Sequence, residues 1–174
     1  EGYSFTPEEI SVNNLKEEGF DVSLHAPFRN INLTSSDKEV AKDSLEIVKA
    51  AITGAEILDI EPVIIHPGEL SSEDLDPSDI WDFQLTQLRE LVHFGNSKDV
   101  SISIENMADR DEQYVVSPNE LIKLLGELEN LDFGICLDIA HAASWGDAGC
   151  FFEEPIIGEI NHIHVSNSSS EKGH

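Results

Sequence analysis

Residues 62–68 read Pro62-Val63-Ile64-Ile65-His66-Pro67-Gly68, an apolar run that ends at a histidine and is followed at once by a proline and a glycine. An apolar run without polar alternation is typical of a strand covered on both faces, as in a parallel sheet. Because the run stops at His66, that side chain is expected at the carboxyl end of the strand. Gly68 would allow the backbone to pass close to a ligand. The segment therefore predicts a buried parallel strand with a functional side chain at its end.

Predicted strands and helices alternate along the rest of the chain. Capping sequences begin two of the helices, at Thr6-Pro7-Glu8-Glu9 and at Ser117-Pro118-Asn119-Glu120. Ser36 is predicted to cap the longest helix. The face of that helix predicted to be buried holds Val40, Ile47, Val48, Ala51 and Ile52. The predicted helices span about 7–18, 36–60, 79–94, 118–128 and 153–159. The predicted strands span about 21–25, 62–66, 100–105, 132–138 and 160–165.

Five alternations of strand and helix indicate a parallel sheet with right-handed crossovers, which is either doubly wound or closed into a barrel. A doubly wound sheet gathers its ligands mainly at one switch point, and no Gly-x-Gly-x-x-Gly motif follows any predicted strand. A closed barrel instead brings every strand end to one rim. Here all five strands end in a residue that can bind a metal: His25, His66, Glu105, Asp138 and His164. We therefore predict an α/β fold of the (β/α)8 TIM-barrel type.

The length of the chain sets how much of such a barrel it can form. Eight-stranded barrels usually need about 250 residues, so 174 residues accommodate about five of the eight strand-helix units. Residues 1–174 are predicted to form a single domain that is incomplete at both ends. Five strands leave an open sheet edge on each side, which the remaining strands or a partner chain must cover. The sequence does not decide whether the chain forms an oligomer.

The composition is strongly acidic. Ten Lys and Arg face 35 Asp and Glu, which gives a formal net charge of −25. The ordinary explanation is a solvated acidic surface suited to high salt. Proteins that bind nucleic acids neutralise phosphates with Lys and Arg. The charge therefore disfavours a nucleic-acid partner without excluding it.

The sequence shows no sign of export or membrane insertion. It has no basic, apolar N-terminal segment and no apolar run near the length of about 18 residues that a membrane span requires. The two cysteines, Cys136 and Cys150, make no disulfide framework and are interpreted as ordinary thiols in a reducing compartment. These features predict a cytoplasmic protein with no membrane partner.

The strand-end residues form a set of nitrogen and oxygen ligands that Zn, Mn, Co or Fe favours. Each position alone has an ordinary alternative, since a single histidine at a strand end is usually structural or solvated and Glu105 could form a salt bridge. His141 follows Asp138 by three residues at a strand-to-helix turn, so both could face one cavity. His162 and His164 share a face of the last strand, and only one need be a ligand.

These segments resemble the xylose isomerase-like barrel superfamily, the group that holds endonuclease IV and many sugar isomerases and epimerases. The resemblance covers nearly the whole chain in the expected order. It rests on His25-Ala26-Pro27-Phe28 with Ile31-Asn32-Leu33, His66-Pro67-Gly68, Ile104-Glu105-Asn106, the run from Cys136 to Ala142, and the run from His162 to Asn167.

The resemblance implies a divalent-metal centre of one to three ions, with Zn or Mn the most favoured. His25, His66 and Glu105 would hold one ion, and Glu105, Asp138 and His164 a second, with Glu105 as the bridge. The ligands that resemble those of a third ion are His141 and His174. The predicted catalytic residues are Glu105 and His66, and the predicted substrate-binding residues are Arg29 and Asn106.

The sequence also departs from the superfamily pattern. The endonuclease pattern has an Asp two residues before its last loop histidine, whereas Lys172 stands before His174. Asn167 occupies a position where Asp is common. The Glu expected on the final strand of the barrel lies beyond His174. These departures weaken the prediction of a third metal site.

Three functions remain open from the sequence. The first is an isomerase or epimerase of a small sugar or sugar phosphate. The acidic surface suits a small substrate that binds in a deep pocket. The second is metal-dependent hydrolysis of phosphodiesters at abasic DNA sites, which the pair His25 and His66 favours because many sugar isomerases lack it. The third is a non-catalytic barrel with a structural metal. It is the least favoured, because structural sites are usually closed local clusters.

Overall fold

In the computed structural model, which describes residues 12–70 and 77–166, the chain is organised around one sheet of five parallel strands. The strands are β1 (Leu24–His25), β2 (Val63–Ile65), β3 (Ile102–Glu105), β4 (Gly134–Asp138) and β5 (Ile160–His164). They are hydrogen-bonded in chain order, and every neighbouring pair is parallel. A doubly wound sheet reverses its strand order, whereas a barrel keeps it. The sheet is a curled half-barrel, which confirms the predicted TIM-barrel class with five of its strands.

Helices cover the outer side of the sheet. They are α1 (Val12–Glu17), α2 (Lys38–Leu58), α3 (Pro77–Asn96), α4 (Pro118–Glu127), α5 (Ile139–Trp145) and α6 (Ile156–Glu159), with a 3-10 helix at Ala148–Phe152. Ser117 and Glu120 form the predicted capping box of α4. The predicted start of the first helix lies outside the described residues. Among the helices that the structure describes, none has the length and apolar character needed to cross a bilayer.

Helix α2 differs from the prediction at its start and in its buried face. Its N-cap is Asp37, not Ser36, because the Asp37 carboxylate accepts the backbone N–H of Glu39. Val40 and Ile47 are 42% and 43% exposed, so they do not belong to the buried face. The buried side chains of the helix recur every three or four residues: Ala41, Ser44, Leu45, Val48, Ile52 and Ala55.

The core lies between the three central strands and the helices. Strands β2, β3 and β4 are buried at every residue. Side chains of α2 and α3 such as Ile52 and Leu88 pack with Val63, Ile102 and Ile135 in one apolar cluster. Each fully buried side chain of this size contributes roughly 1.5–3 kcal/mol. This packing holds the carboxyl ends of the strands at fixed positions.

The two outer strands are less covered. Strand β5 alternates half-buried and exposed residues. The outer edges of β1 and β5 have no strand partner among residues 12–70 and 77–166. The concave side of the half-barrel therefore opens along both edges, with the strand ends of all five strands at one rim.

An irregularity in the pairing of β4 with β5 brings a side chain across the sheet. The register shifts between Ile135 and Cys136, which leaves Asn161 as the additional residue of β5. Its Oδ1 accepts a hydrogen bond of 2.6 Å from the hydroxyl of the buried Ser103 on β3. The side chain passes over Gly134, where a Cβ atom would collide with it. Gly134 therefore leaves the space through which β5 is tied to β3.

Replacing Gly134 with alanine is expected to lower the free energy of unfolding by about 1–3 kcal/mol, because displaced Asn161 leaves the buried Ser103 hydroxyl without its partner. Urea denaturation followed by circular dichroism measures the loss. Asn161→Ala is the matched control, since it removes the same hydrogen bond without a collision. Because both changes delete one shared bond, the double variant should cost less than the sum of the single variants. Fully additive costs would contradict this explanation.

Candidate metal centre

The carboxylate of Glu105 is the centre of the site. Glu105 is the last residue of β3 and is only 2% exposed. A buried carboxylate is unfavourable unless it is paired or bound to a cation. Among the described residues, the ion-pair partners of Glu105 are all histidines, from four different parts of the chain: His25, His66, His141 and His164.

The two oxygens of Glu105 face two different sets of ring nitrogens. Oε2 lies 3.1 Å from Nε2 of His25 and 3.2 Å from Nε2 of His66. Oε1 lies 2.9 Å from Nδ1 of His164 and 3.8 Å from Nδ1 of His141. The same Nδ1 of His164 is 4.0 Å from Oδ2 of Asp138. The carboxylate therefore joins two groups of candidate ligands, one at each oxygen.

The strand register produces this convergence. Ile65 pairs with Ile104, so the residues that follow them, His66 and Glu105, are level at the rim. Asp138 pairs directly with His164 on the other side. Since alternate residues of a strand point to the same face, parallel strands in this register bring their final side chains together around Glu105. The apolar runs that precede these residues bury the strands and fix their ends.

The electrostatics of the centre follow from burial and from the histidines. Burial alone would raise the pKa of Glu105, but the hydrogen bonds from His25, His66 and His164 outweigh it and hold that pKa well below its usual range. Burial lowers the pKa of His25, yet its bonds to Glu105 and to the Ala26 carbonyl leave the pKa raised overall. The carboxylate is therefore held in its charged form.

The hydrogen bond of His25 to the backbone favours a cation in the centre. Nδ1 of His25 lies 2.8 Å from the carbonyl oxygen of Ala26 and must donate to it, since a carbonyl only accepts. In the neutral ring, Nε2 then presents a lone pair to the carboxylate of Glu105. Nδ1 of His141 also donates to a backbone carbonyl oxygen, that of Asn106 at 2.8 Å, which leaves Nε2 as its candidate ligand atom. A lone pair facing a carboxylate is stable only when a proton or a metal ion lies between them, so the donor set fits a divalent metal.

Within residues 12–70 and 77–166, three overlapping groups of side chains have ligand atoms within 4.8 Å of one another. They are His25 with His66 and Glu105, Glu105 with Asp138 and His141, and Glu105 with Cys136 and His164. From the sequence alone, Cys136 is interpreted as an ordinary thiol. Its place in the third group follows from register, because Cys136 pairs with Glu105 across the sheet. Burial raises the pKa of this thiol, and the charges of Glu105 and Asp138 raise it further.

Phe28 is a feature of the rim that the sequence did not single out as functional. Its ring centre lies 5.1 Å from those of both His25 and His66, and it stacks on the latter. It is the fourth residue of the His25-Ala26-Pro27-Phe28 segment, so position in that segment is the signal that could have identified it. Phe28 is 48% exposed, so its ring lies at the surface beside two candidate ligands.

The two predicted substrate-binding residues lie in different surroundings. Arg29 is exposed in the loop after β1, and its guanidinium lies 5.9 Å from the ring centre of Phe28. Asn106 is buried, and both polar atoms of its side chain bond to the backbone of Asp138. His174, Lys172 and Asn167 lie outside the described residues. The predicted contribution of His174 to a third metal site, and the weakening effect expected from Lys172, therefore stay predictions.

The rim around the centre is mostly acidic. Two described arginines, Arg29 and Arg110, are exposed in the loops that follow the strands. Exposed carboxylates from the same loops are Glu69, Asp109, Asp111, Glu112 and Asp147. Their field opposes the approach of an extended polyanion at low ionic strength.

Comparison with known proteins finds one matching family and several relatives. A family model described as a xylose isomerase-like TIM barrel matches residues 7–174. An uncharacterized protein of Methanocaldococcus jannaschii, MJ1311, is 32% identical over 148 residues, which are 83% of this chain and 50% of that protein. A probable endonuclease 4 of Mycoplasmopsis synoviae is 25% identical and aligns with 87% of this chain and 55% of its own length. The chain spans about half the length of these curated relatives.

Solved structures give the same fold. A D-tagatose 3-epimerase-like protein superposes with a TM-score of 0.82 and 27% identity, over 96% of this chain and 64% of that one. An L-ribulose 3-epimerase superposes with a TM-score of 0.74 and 18% identity, over 93% of this chain and 57% of its own. The second shows likeness of fold alone.

Proposed function

The chain belongs to the xylose isomerase-like TIM-barrel family, and we propose that it is a divalent-metal enzyme that isomerises or epimerises a small sugar or sugar phosphate. The observation that carries the proposal is the buried carboxylate of Glu105, with ring nitrogens of His25 and His66 at one oxygen and of His164 at the other. Side chains of this kind at an open mouth suit a catalytic centre better than a closed structural one.

We propose that Glu105 bridges two metal positions. His25 and His66 would complete the first, and Asp138 with His164 the second, while His141 stands beside the second and would contribute there or, with His174, to a third. Zn or Mn is the favoured ion, because the ligands mix imidazole nitrogen with carboxylate oxygen. When bound, such an ion supplies Lewis-acid polarisation of the substrate's carbonyl and hydroxyl oxygens.

The proposed chemistry moves a proton at the carbon next to the substrate carbonyl. Glu105 is proposed to take part in catalysis by holding the ions that polarise the substrate, while a carboxylate moves that proton. His66, whose Nε2 lies 3.2 Å from Oε2 of Glu105, is proposed to contribute by holding the first ion beside that carboxylate. Arg29, the exposed cation next to Phe28, is proposed to contact a phosphate or hydroxyl group of the substrate.

The choice of substrate class rests on charge and on the solved neighbours. The acidic rim suits a small molecule that enters a cavity rather than a long polyanion. The solved neighbour at 27% identity is described as a D-tagatose 3-epimerase-like protein, and tagatose is a sugar. Both observations support a sugar or sugar phosphate as the substrate class.

Metal-dependent hydrolysis of phosphodiesters at abasic DNA sites is the second candidate function. The observation that favours it is the well-formed pair of His25 and His66 at Oε2 of Glu105, because two neighbouring metal positions suit phosphodiester cleavage. The relative of Mycoplasmopsis synoviae is named as a probable endonuclease 4. The acidic rim opposes this function at low salt.

One pair of assays separates the two candidates. The chain, loaded with Mn or Zn in about 2 M KCl, is incubated in D2O with a panel of ketoses and ketose phosphates, and separately with abasic-site duplex DNA. We expect deuterium to enter the carbon next to the sugar carbonyl, as seen by NMR, and we expect Glu105→Gln to stop it. Cleavage of the duplex that is lost in His66→Ala, without any deuterium exchange, would replace the proposal with the second candidate.

A further inference from the structure

We infer that Asn106 is the positioning residue for one half of the metal centre, the half formed by Asp138 and His141. The inference rests on the proposed metal centre and deepens it, because it assigns to Asn106 a role other than the substrate contact predicted from sequence. Asn106 follows Glu105 directly, so one segment of chain would supply the bridging carboxylate and orient its neighbours.

The side chain of Asn106 extends the sheet beyond the end of β3. Its Nδ2 donates to the carbonyl oxygen of Asp138 at 3.2 Å, and the backbone N–H of Asp138 donates to its Oδ1 at 2.7 Å. The backbone N–H of Asn106 donates to the backbone carbonyl oxygen of Cys136 at 3.3 Å. An amide side chain carries the same donor and acceptor as a peptide group. It therefore continues the ladder between β3 and β4 by one step after the β3 backbone has turned away.

With its backbone held in this way, Asp138 divides its two carboxylate oxygens. Oδ1 accepts the backbone N–H of His141 at 2.8 Å and caps helix α5. Oδ2 faces His164, at 4.0 Å from Nδ1. A rotation of the Asp138 backbone would move both oxygens. The Asn106 amide therefore keeps one oxygen on the helix and the other in the metal centre.

The backbone of Asn106 also orients His141. Its carbonyl oxygen accepts the Nδ1–H of His141 at 2.8 Å, which leaves Nε2 as the nitrogen that can bind a metal. Partners of this kind fix the tautomer and the ring plane of a ligating histidine. Asn106 is thus hydrogen-bonded to both Asp138 and His141. None of its hydrogen bonds within the described residues reaches His25 or His66.

Burial separates this role from substrate contact. Asn106 is 0% exposed, and both polar atoms of its side chain are already bonded to Asp138. A substrate would have to break those bonds to reach the amide. The expected consequence of losing the side chain is therefore a change in metal binding on one side of Glu105.

The test is a metal titration of the whole chain, with Co²⁺ as the probe and its visible absorption as the signal. The unaltered chain is expected to bind two ions. Asn106→Ala is expected to weaken the ion on the Asp138 side roughly 10- to 100-fold, as losses of outer partners of metal ligands usually do. The other ion should keep its affinity and its spectrum. The matched control is Ser44→Ala on α2. Ser44 is also nearly buried, and the substitution removes the hydrogen bond that its hydroxyl oxygen accepts from the backbone N–H of Asn32.

A variant that fails to fold is handled by Asn106→Asp, which keeps an acceptor for the Asp138 N–H and loses the donor to the Asp138 carbonyl. It is expected to show the same one-sided loss. Equal weakening of both ions, or two unchanged ions, in a folded Asn106 variant would overturn the inference while leaving the metal centre in place. An unaltered chain that binds no metal would overturn the proposed function and this inference together.

Discussion

Replacing Glu105 with glutamine is expected to remove metal binding at both positions of the centre, with a loss in affinity of roughly 10²- to 10⁴-fold. The amide keeps the shape of the side chain but carries no charge, and removing one partner of a buried charged set costs about 3–5 kcal/mol. Both oxygens of Glu105 contact histidines, so one substitution affects both groups of ligands. Equilibrium dialysis against Zn or Mn, with elemental analysis of the bound ion, measures the loss.

Two kinds of control make this prediction specific. Glu112→Gln removes an exposed carboxylate of the same rim and is expected to leave the bound metal unchanged. His66→Ala and His164→Ala each alter one side of Glu105 and are expected to remove one ion each. A Glu105→Gln variant that still binds as many ions as the unaltered chain would contradict the bridging role. A variant that loses only one ion would show that Glu105 serves a single position.

The fold could be predicted from the sequence because its signals are local. The apolar run at 62–66 ends where β2 ends, and the Ser117 capping box begins α4 as expected. The predicted helix ranges do not include α5, although Asp138 and His141 are placed at a strand-to-helix turn, because this helix is only seven residues long and starts directly after β4. Asp138 is both the last residue of β4 and the N-cap of α5. A pattern that looks for a separate loop between the two elements cannot find such a helix.

The buried face of α2 was misjudged for a related reason. The sequence interpretation included Val40 and Ile47 because they are apolar, yet the helix buries the small residues Ala41 and Ser44 instead. Small side chains allow a helix to approach the sheet closely, and this requirement depends on the neighbouring strands. Composition alone does not carry that information.

The candidate site shows the same division between local and long-range signals. The strand-end positions of His66, Glu105 and Asp138 could be taken from the sequence, since each closes an apolar run. The contacts of Asn106 with Asp138 join residues 32 positions apart, and no pattern within either segment predicts them. The pairing of Cys136 with Glu105 likewise depends on the register of two strands.

Raising the KCl concentration from about 0.1 M to about 2 M is expected to raise Tm by on the order of 10 °C, which corresponds to roughly 3 kcal/mol for a chain of this size. The physical reason is the excess of acidic over basic residues, 35 against 10. Even if every Lys and Arg paired with one carboxylate, 35 − 10 = 25 carboxylates would have no Lys or Arg partner. Folding brings these charges together, and salt shortens the Debye length from about 10 Å at 0.1 M to about 3 Å at 1 M. Thermal unfolding followed by circular dichroism across a KCl series measures the effect.

Charge screening can be distinguished from a general effect of solutes on burial. Screening acts mostly below about 1 M, where the Debye length changes most, whereas solutes excluded from the surface, such as sucrose, stabilise without screening. A variant with Asp109→Asn, Asp111→Asn and Glu112→Gln has a formal charge of −25 + 3 = −22. It is expected to have a higher Tm than the unaltered chain in 0.1 M KCl and the same Tm in 2 M KCl. A Tm that does not change with KCl, or a variant equally stabilised at both concentrations, would contradict repulsion as the cause.

If the prediction holds, the repulsion between the acidic rim and DNA is also screened in 2 M KCl. A failure to cleave abasic duplex DNA at that salt concentration would therefore argue against the nuclease function more strongly than a failure in dilute buffer.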